Sequence, residues 1–326
     1  MKQSAERRPM ILDLPTVRGR YTENAPLGSV SWFRAGGTAE IMYRPADQED
    51  LLSFLQACPE EIPVTTVGVM SNTIVRDGGM QGVVIRLGGS FTDIDVVNGN
   101  EIIAGASALD VNVATVAAKE GLAGLEFLCG VPGTIGGALR MNAGAYGSET
   151  ADVLIEASYT DRSGTLYRQT AEELQMSYRH SGAPEGAIFL EARFRTQKDN
   201  PLDIEARMSD IREKRADTQP VKARTGGSTF ANPDIADLVK AGLDPATRTW
   251  QLVDMAGCRG LRVGGAIMSE KHCNFMINEG EATAFDLESL GEEVRRRVFD
   301  KTGILLRWEI RRLGLLPEDR FLKRAH

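Results

Sequence analysis

Histidine is scarce in this chain: three occur in 326 residues, one of them the terminal His326. That is too few for a histidine-rich metal site, and no metal is expected. Cysteine is equally sparse. Cys58, Cys129, Cys258 and Cys273 are widely scattered with no C-x-x-C pair, which excludes a zinc ribbon or a disulfide framework and fits the reduced thiols of a cytoplasmic protein. No apolar run approaches the roughly 20 residues that span a bilayer, so no membrane association is expected. The opening "MKQSAERRPMILDLP" has a short apolar patch ended by Asp13 and Pro15, too little for a signal peptide. Positive charge is also in deficit. A net charge of -7 lacks the basic footprint of a nucleic-acid-binding protein, so any anionic ligand must be met by local arginines or backbone amides. There is no internal repeat and no low-complexity tract.

What is present is the composition of a globular protein, 42% hydrophobic and 25% charged, long enough for two or three domains. After a lead-in at 1–20, short strands alternate with helices through a unit at 21–88. "DQEDLLSFLQAC" carries helical spacing behind an acidic first turn, and "VTTVGV" reads as a buried strand. In a second unit, 89–199, "FTDIDVV" and "NEIIAGA" form a strand pair and "LDVNVATVAAKEGL" a helix. "DVLIEASYT", "GTLYRQT" and "AIFLEARFR" follow as antiparallel meanders. "PLDIEARMSDIREKRADTQP" is a charged helix opening a third unit at 200–315, with Ile204, Met208 and Ile211 on one face. Near the end, "ATAFDLESLGEEVRRRVFDKTG" is an amphipathic helix stopped by Gly303, and "ILLRWEIRRLG" a strand. Residues 316–326 are a tail. The order of elements predicts an α+β fold.

The stretch "GVPGTIGGALRMNAGAYG", Gly130 to Gly147, has six glycines and no lysine. It lacks the Lys-Ser/Thr ending of a P-loop and the G-x-G-x-x-G spacing of a dinucleotide turn. Bare backbone of this kind suits an anion that is held and never transferred: successive N–H groups form a nest, and a short helix starting near Thr134 would add to it. "GVMSNTIVRDGG" is a second loop of similar type.

Seven blocks appear in a recognisable order: "SWFRAGGTAE", "VGVMSNTIVRDGGMQGVVIRL", "GLEFLCGVPGTIGGALRMNAGAYG", "YRHS", "GGSTFANP", "GLRVGGAIMSEKHCNF" and "LLRWEIRRLG". Together they resemble the UDP-N-acetylenolpyruvoylglucosamine reductases from about residue 20 to about 314. The resemblance implies an FAD-binding module of two subdomains, of the vanillyl-alcohol-oxidase type, at 21–88 and 89–199. A C-terminal α+β substrate-binding domain would follow. It also implies NADPH as co-substrate and a UDP-sugar as the small-molecule partner, the enolpyruvyl ether of UDP-N-acetylglucosamine being reduced to UDP-N-acetylmuramate. By resemblance Ser71, Asn72, Gly133, Thr134, Gly136, Gly137, Asn142, Ala143 and Gly144 meet FAD. Neither glycine loop carries a histidine for a covalent tether, so the flavin is expected to be non-covalent.

Hydride addition to one carbon of an enolpyruvyl ether demands a proton at the other and electrophilic help for the charge that develops. The resemblance assigns the proton to Ser228, set behind two glycines, and makes Glu309 and Arg179 the other catalytic residues. Arg179 would hold the substrate carboxylate, a task suited to a guanidinium fork. If "ILLRWEIRRLG" is a strand, Arg307 and Arg311 flank Glu309 on one face and should keep it ionised. Tyr178 and Asn232 are expected near the substrate. Arg215, within the cluster Arg212, Lys214, Arg215, Lys222 and Arg224, is a candidate for the UDP pyrophosphate, and His272 reads as structural.

Two features depart from the family pattern. Where the family has Gly-x-Gly-Ser-Asn, this chain has Gly68-Val69-Met70-Ser71-Asn72. A positive φ there would cost Met70 on the order of 1–2 kcal/mol. The run from Pro233 to Trp250 is also longer and more helical than expected. "YRHSGAPEGAIFLEARFR" leaves no room for the tyrosine-bearing loop of one family subtype, so the chain resembles the shorter one. A flavin oxidase of the same superfamily would not need Ser228, Glu309 and Arg179 together. A non-catalytic sugar-nucleotide-binding relative would keep the fold without the trio.

Overall fold

The computed structural model describes residues 13–317; the rest of the expected lead-in and tail lies outside them. Helices and three main sheets divide the described residues, an α+β architecture. The first sheet runs in the order Arg20–Ala25, Ala39–Arg44, Met80–Ile85, Val64–Thr66. Its first pair is antiparallel and the others parallel. Helix Gln48–Ala57 covers it with Leu51, Phe54 and Leu55, its start fixed by the Asp47 carboxylate accepting the Asp50 N–H.

The second sheet is antiparallel, in the order Leu166–Gln169, Leu154–Thr160, Ile188–Arg195, Glu101–Gly105, Ile94–Val97. The expected strand pair turns at Asn98-Gly99, with φ of 53° and 74°, the residue types that tolerate two successive left-handed positions. Helix Asp110–Lys119 packs beneath it. Helix Pro201–Thr218 packs there too, which differs from its expected place in the C-terminal unit. Its few apolar positions decide the matter: Ile204 and Met208 are buried in the same core as Val113, Ala117 and Leu125, and the Cys129 thiol donates to the Met208 carbonyl.

The third sheet is antiparallel, in the order Arg224–Ser228, Phe275–Asn278, Ala266–Met268, Arg262–Val263. Helix Ala284–Thr302 lies on it with Leu287, Leu290, Val294 and Val298 buried. A Thr283–Asp286 capping box opens this helix and Gly303, at φ 74°, closes it. Its N-terminus is also held from the first unit, where Asp77 accepts the N–H groups of Ala284 and Phe285. Beside that contact, Arg76 pairs with the fully buried Glu288 at 2.8 Å.

The segment expected as one strand from Ile304 behaves differently. Only Arg311–Leu313 forms a strand, parallel to Thr73–Val75. The alternation survives, with Ile304, Leu306 and Ile310 buried and Leu305 and Arg307 exposed. Its backbone partners change along the way, from Ala231 and Thr229 of the third unit to Asn72 of the first. A segment crossing between units cannot stay in one ladder. Among the described residues no helix is long and apolar enough to cross a membrane, and no cluster of His, Cys, Asp and Glu could hold a metal.

Candidate active site

Two glycines aim Ser228. A Cβ at Gly226 would come within 2.3 Å of the Phe33 ring, so only glycine fits there. Gly227 has φ 77°, which the strand end uses to turn the chain and put Ser228 on the wall of a cavity of about 170 Å³. Arg179 reaches the same cavity from a tight turn closed by reciprocal hydrogen bonds between Ser177 and His180. It sits at φ 57°, a left-handed conformation rare for a non-glycine residue and a recurrent mark of functional turns. Glu309 arrives on the crossing segment and completes the trio.

Within this group Arg179 Nε donates to Glu309 Oε1 at 2.5 Å. Burial pushes the Glu309 carboxyl above the ordinary carboxylate range, and Arg179 only partly offsets that rise. Arg307 and Arg311 were expected to keep it ionised. Arg307 instead pairs with Asp234 at 3.0 Å, and the arginine that meets Glu309 lies 130 residues upstream. The terminal nitrogens of Arg179 hydrogen-bond to no described residue, and the guanidinium lies over the Tyr178 ring, 5.1 Å from its centroid, so both NH2 groups remain available at the cavity wall.

Tyr178 and Asn232 also line the cavity, and the Asn232 amide donates to the Tyr178 hydroxyl at 3.4 Å. The other end of Asn232 accepts the Thr249 N–H, fixing the start of helix Thr249–Met255. Arg248, Trp250, Phe230, His272 and Asn274 complete the wall. The sequence blocks flagged "SEKHCNF" without giving His272 or Asn274 a site role, and Arg248 and Trp250 lay in the run whose purpose was open. That run contains a short helix, Ile235–Lys240, before it returns to the cavity. Burial lowers the pKa of His272, whose ring packs edge-on against Trp250 and Phe275.

The basic cluster does not reach this cavity. Arg215 is half-buried, donates to Gln219 and lies near Tyr146 and Cys129 on the flank of the glycine-rich loop. Arg212 pairs with Glu205, and Arg224 donates to the Gly280 carbonyl. From Arg179 the chain runs through Gly182 and Ala187 directly into strand Ile188–Arg195, with no inserted loop.

The two glycine loops face each other. A Cβ on Gly68 would lie 2.8 Å from Thr134 Oγ1, and one on Gly133 would lie 2.9 Å from Asp110 Oδ2 and 3.6 Å from Ser71 Oγ. Helix Ile135–Met141 starts where expected, with Thr134 as N-cap. Among the described residues, the N–H groups of Ser71, Asn72, Gly133, Thr134 and Gly137 find no acceptor. Both oxygens of the fully buried Asp110 are likewise without partners. Unpaired amides in two loops brought together are what a buried pyrophosphate requires, and these residues fit FAD.

Four of the expected flavin residues have partners within the chain. Asn142 ends the helix at φ 40°, donates to the Ser177 carbonyl and accepts from Ala151, so it braces the Arg179 turn. Ala143 donates to the Ala138 carbonyl and accepts from Thr150, and Gly144 pairs with Glu149 in the hairpin Gly144–Glu149. Gly136 donates to the Ala106 carbonyl. Met70 has φ 53°, the conformation in which its side chain is costly, yet it is 4% exposed in a core with Leu27, Val67, Val75 and Met80.

Two family models match the chain: an FAD binding domain over residues 39–170, and the C-terminal domain of UDP-N-acetylenolpyruvoylglucosamine reductase over 219–313. A reductase of that name from Paramagnetospirillum magneticum is 56% identical over 93% of this chain and 94% of its own. Another, from Acidiphilium cryptum, is 55% identical over 93% of this chain and 94% of its own. The chain belongs to the UDP-N-acetylenolpyruvoylglucosamine reductase family. The crystal structure of the Thermus caldophilus reductase superposes with a TM-score of 0.76 at 31% identity, covering 92% of this chain and 100% of that one. Two glycine loops with unpaired amides thus fall within or beside the matched FAD binding domain of a reductase-family chain, and Ser228 and Glu309 within its matched C-terminal domain.

Proposed function

We propose that the chain reduces the enolpyruvyl ether of UDP-N-acetylglucosamine to UDP-N-acetylmuramate, with NADPH as reductant and non-covalent FAD. The observation that carries the assignment of roles is the convergence of Ser228, Arg179 and Glu309, from three separate segments, on one cavity. When bound, FAD carries hydride from NADPH to one carbon of the enolpyruvyl double bond. Ser228 gives the proton to the other carbon. The free terminal nitrogens of Arg179 hold the substrate carboxylate, into which the charge spreads, while its Nε keeps Glu309 in place. Because burial raises its pKa, Glu309 retains a proton more readily than an ordinary carboxylate and shares it with the developing oxyanion. Both UDP-sugars and NADPH are cytoplasmic metabolites, and we place the enzyme there.

Purified protein should be yellow, bleach anaerobically with NADPH and recolour on addition of the UDP-linked enolpyruvate. Acid precipitation should release all flavin from the polypeptide. Ser228→Ala should retain bleaching and lose recolouring, because only the second half-reaction consumes the proton. Loss of both together would assign Ser228 to the fold.

A further inference from the structure

The Glu309 peptide is clamped between the two halves of the chemistry. Its N–H donates to the Thr229 carbonyl at 2.9 Å, one residue beyond Ser228. Its carbonyl accepts from the Asn72 side-chain amide at 3.2 Å, and Asn72 belongs to the first glycine loop. The Asn72 carbonyl in turn accepts the Arg311 N–H at 3.0 Å. Two residues beyond Glu309 the chain enters its parallel pairing with Thr73–Val75. Thr229 is itself fixed, its N–H on the Asn274 carbonyl, and Asn274 brackets Phe230 with both ends of its amide.

We infer that Asn72 is a positioning residue for the Ser228–Glu309 pair: through its amide the flavin loop sets where the Glu309 peptide, and with it the carboxyl and Arg179, stands relative to the proton donor. The inference rests on the roles given above to Ser228 and Glu309. A side chain occupied by the Glu309 carbonyl is committed to alignment of the second half-reaction, whatever the backbone of the same loop does for the flavin. Misplacing a catalytic group by about 1 Å can cost on the order of 100-fold in rate, so loss of one such hydrogen bond is large enough to read.

The test compares Asn72→Ala with Asn72→Asp, which keeps the shape but cannot donate when ionised, and Asn72→Ser, which keeps a shorter donor. Flavin affinity, anaerobic reduction by NADPH and anaerobic reoxidation by the enolpyruvyl substrate are measured separately, at saturating FAD. In Asn72→Ala and Asn72→Asp the reoxidation rate should fall at least ten-fold more than the reduction rate. The alkaline limb of its pH profile should move, with Asn72→Ser between them and the parent. Asn72→Ala should also weaken binding of UDP-N-acetylmuramate to the flavin-free protein, read by calorimetry. A defect confined to flavin affinity, or an equal fall in both half-reactions, overturns the inference; should Asn72→Ala not fold, the serine and aspartate variants decide it on the same terms. If Ser228→Ala abolishes reoxidation while the Asn72 variants spare it, this inference alone fails. If Ser228→Ala spares it as well, the underlying assignment fails.

Discussion

Met70 stands where two opposing free energies can be separated by two substitutions. Its φ of 53° costs a side chain with a Cβ about 1–2 kcal/mol. Its side chain is 4% exposed in the core of the first unit, and burying a methionine contributes about 1.5–3 kcal/mol. Met70→Ala keeps the strain and loses the burial, so it should destabilise by about 2–4 kcal/mol, within the range for large-to-small core changes. Met70→Gly loses the same burial but releases the strain, and should lie about 1 kcal/mol above the alanine variant while remaining below the parent. Urea unfolding of the flavin-free protein, compared at equal slope, orders the three. An alanine variant as stable as the glycine variant would refute the left-handed loop. A glycine variant more stable than the parent would show that the methionine contributes less than its backbone costs, and that this loop simply carries an uncompensated substitution.

Glu309→Gln cannot ionise. If the raised carboxyl works in its protonated form, the parent's reoxidation rate falls as pH rises through that pKa, and stopped-flow profiles of the glutamine variant should lose this limb while the maximum rate drops about 10- to 1,000-fold. The Asp110 carboxyl is buried, has no partner among the described residues and has its pKa raised by that burial, so the folded state holds its proton at pH values where the unfolded state has released it. Stability therefore falls as pH climbs from the unfolded value toward the folded one, and Asp110→Asn should match the parent at low pH and exceed it increasingly above, read by unfolding midpoints across pH. Glu288 is fully buried, pairs with Arg76 at 2.8 Å and lies 3.8 Å from Arg312. Glu288→Gln leaves two partly buried guanidinium groups undercompensated and should cost about 3 kcal/mol, measured by denaturant unfolding.

Much of the site was legible because its constraints are local. A glycine pair before Ser228 announces a turn that brings backbone close to a neighbour, and both glycines prove necessary, one for space and one for φ. The sheet elements carried period-two alternation, and even the Ile304–Ile310 segment kept it after leaving the ladder. Illegible were the choices of partner across the chain. Strand alternation puts Arg307 beside Glu309 on one face, but says nothing of Asp234, which takes Arg307, or of the Ser177–His180 turn that delivers Arg179. Asn142 and Asn232 fall in blocks suited to ligands, and each uses its amide to brace a neighbouring element. A charged helix reads as the opening of the C-terminal unit until the core that accepts Ile204 and Met208 is assembled.

The partner choices that the sequence left open share one physical cause, and it bears on how the enzyme is built. Two of the three proposed catalytic groups are held by an asparagine that sequence blocks would assign to a ligand, Arg179 by Asn142 through the Ser177 carbonyl and Glu309 by Asn72, and Asn232 braces the helix that carries Trp250 in the same way. Asparagine suits this work because one short side chain offers both a donor and an acceptor, so it can replace a missing stretch of ladder between elements that do not pair. Where three units converge, regular secondary structure cannot supply every hydrogen bond, and a buried backbone group left unpaired costs about 1–3 kcal/mol. The residues that close those gaps must lie beside the cavity, because the cavity is where the units meet. Positioning residues and ligand-binding residues therefore occupy the same blocks, and only their hydrogen-bond partners tell them apart.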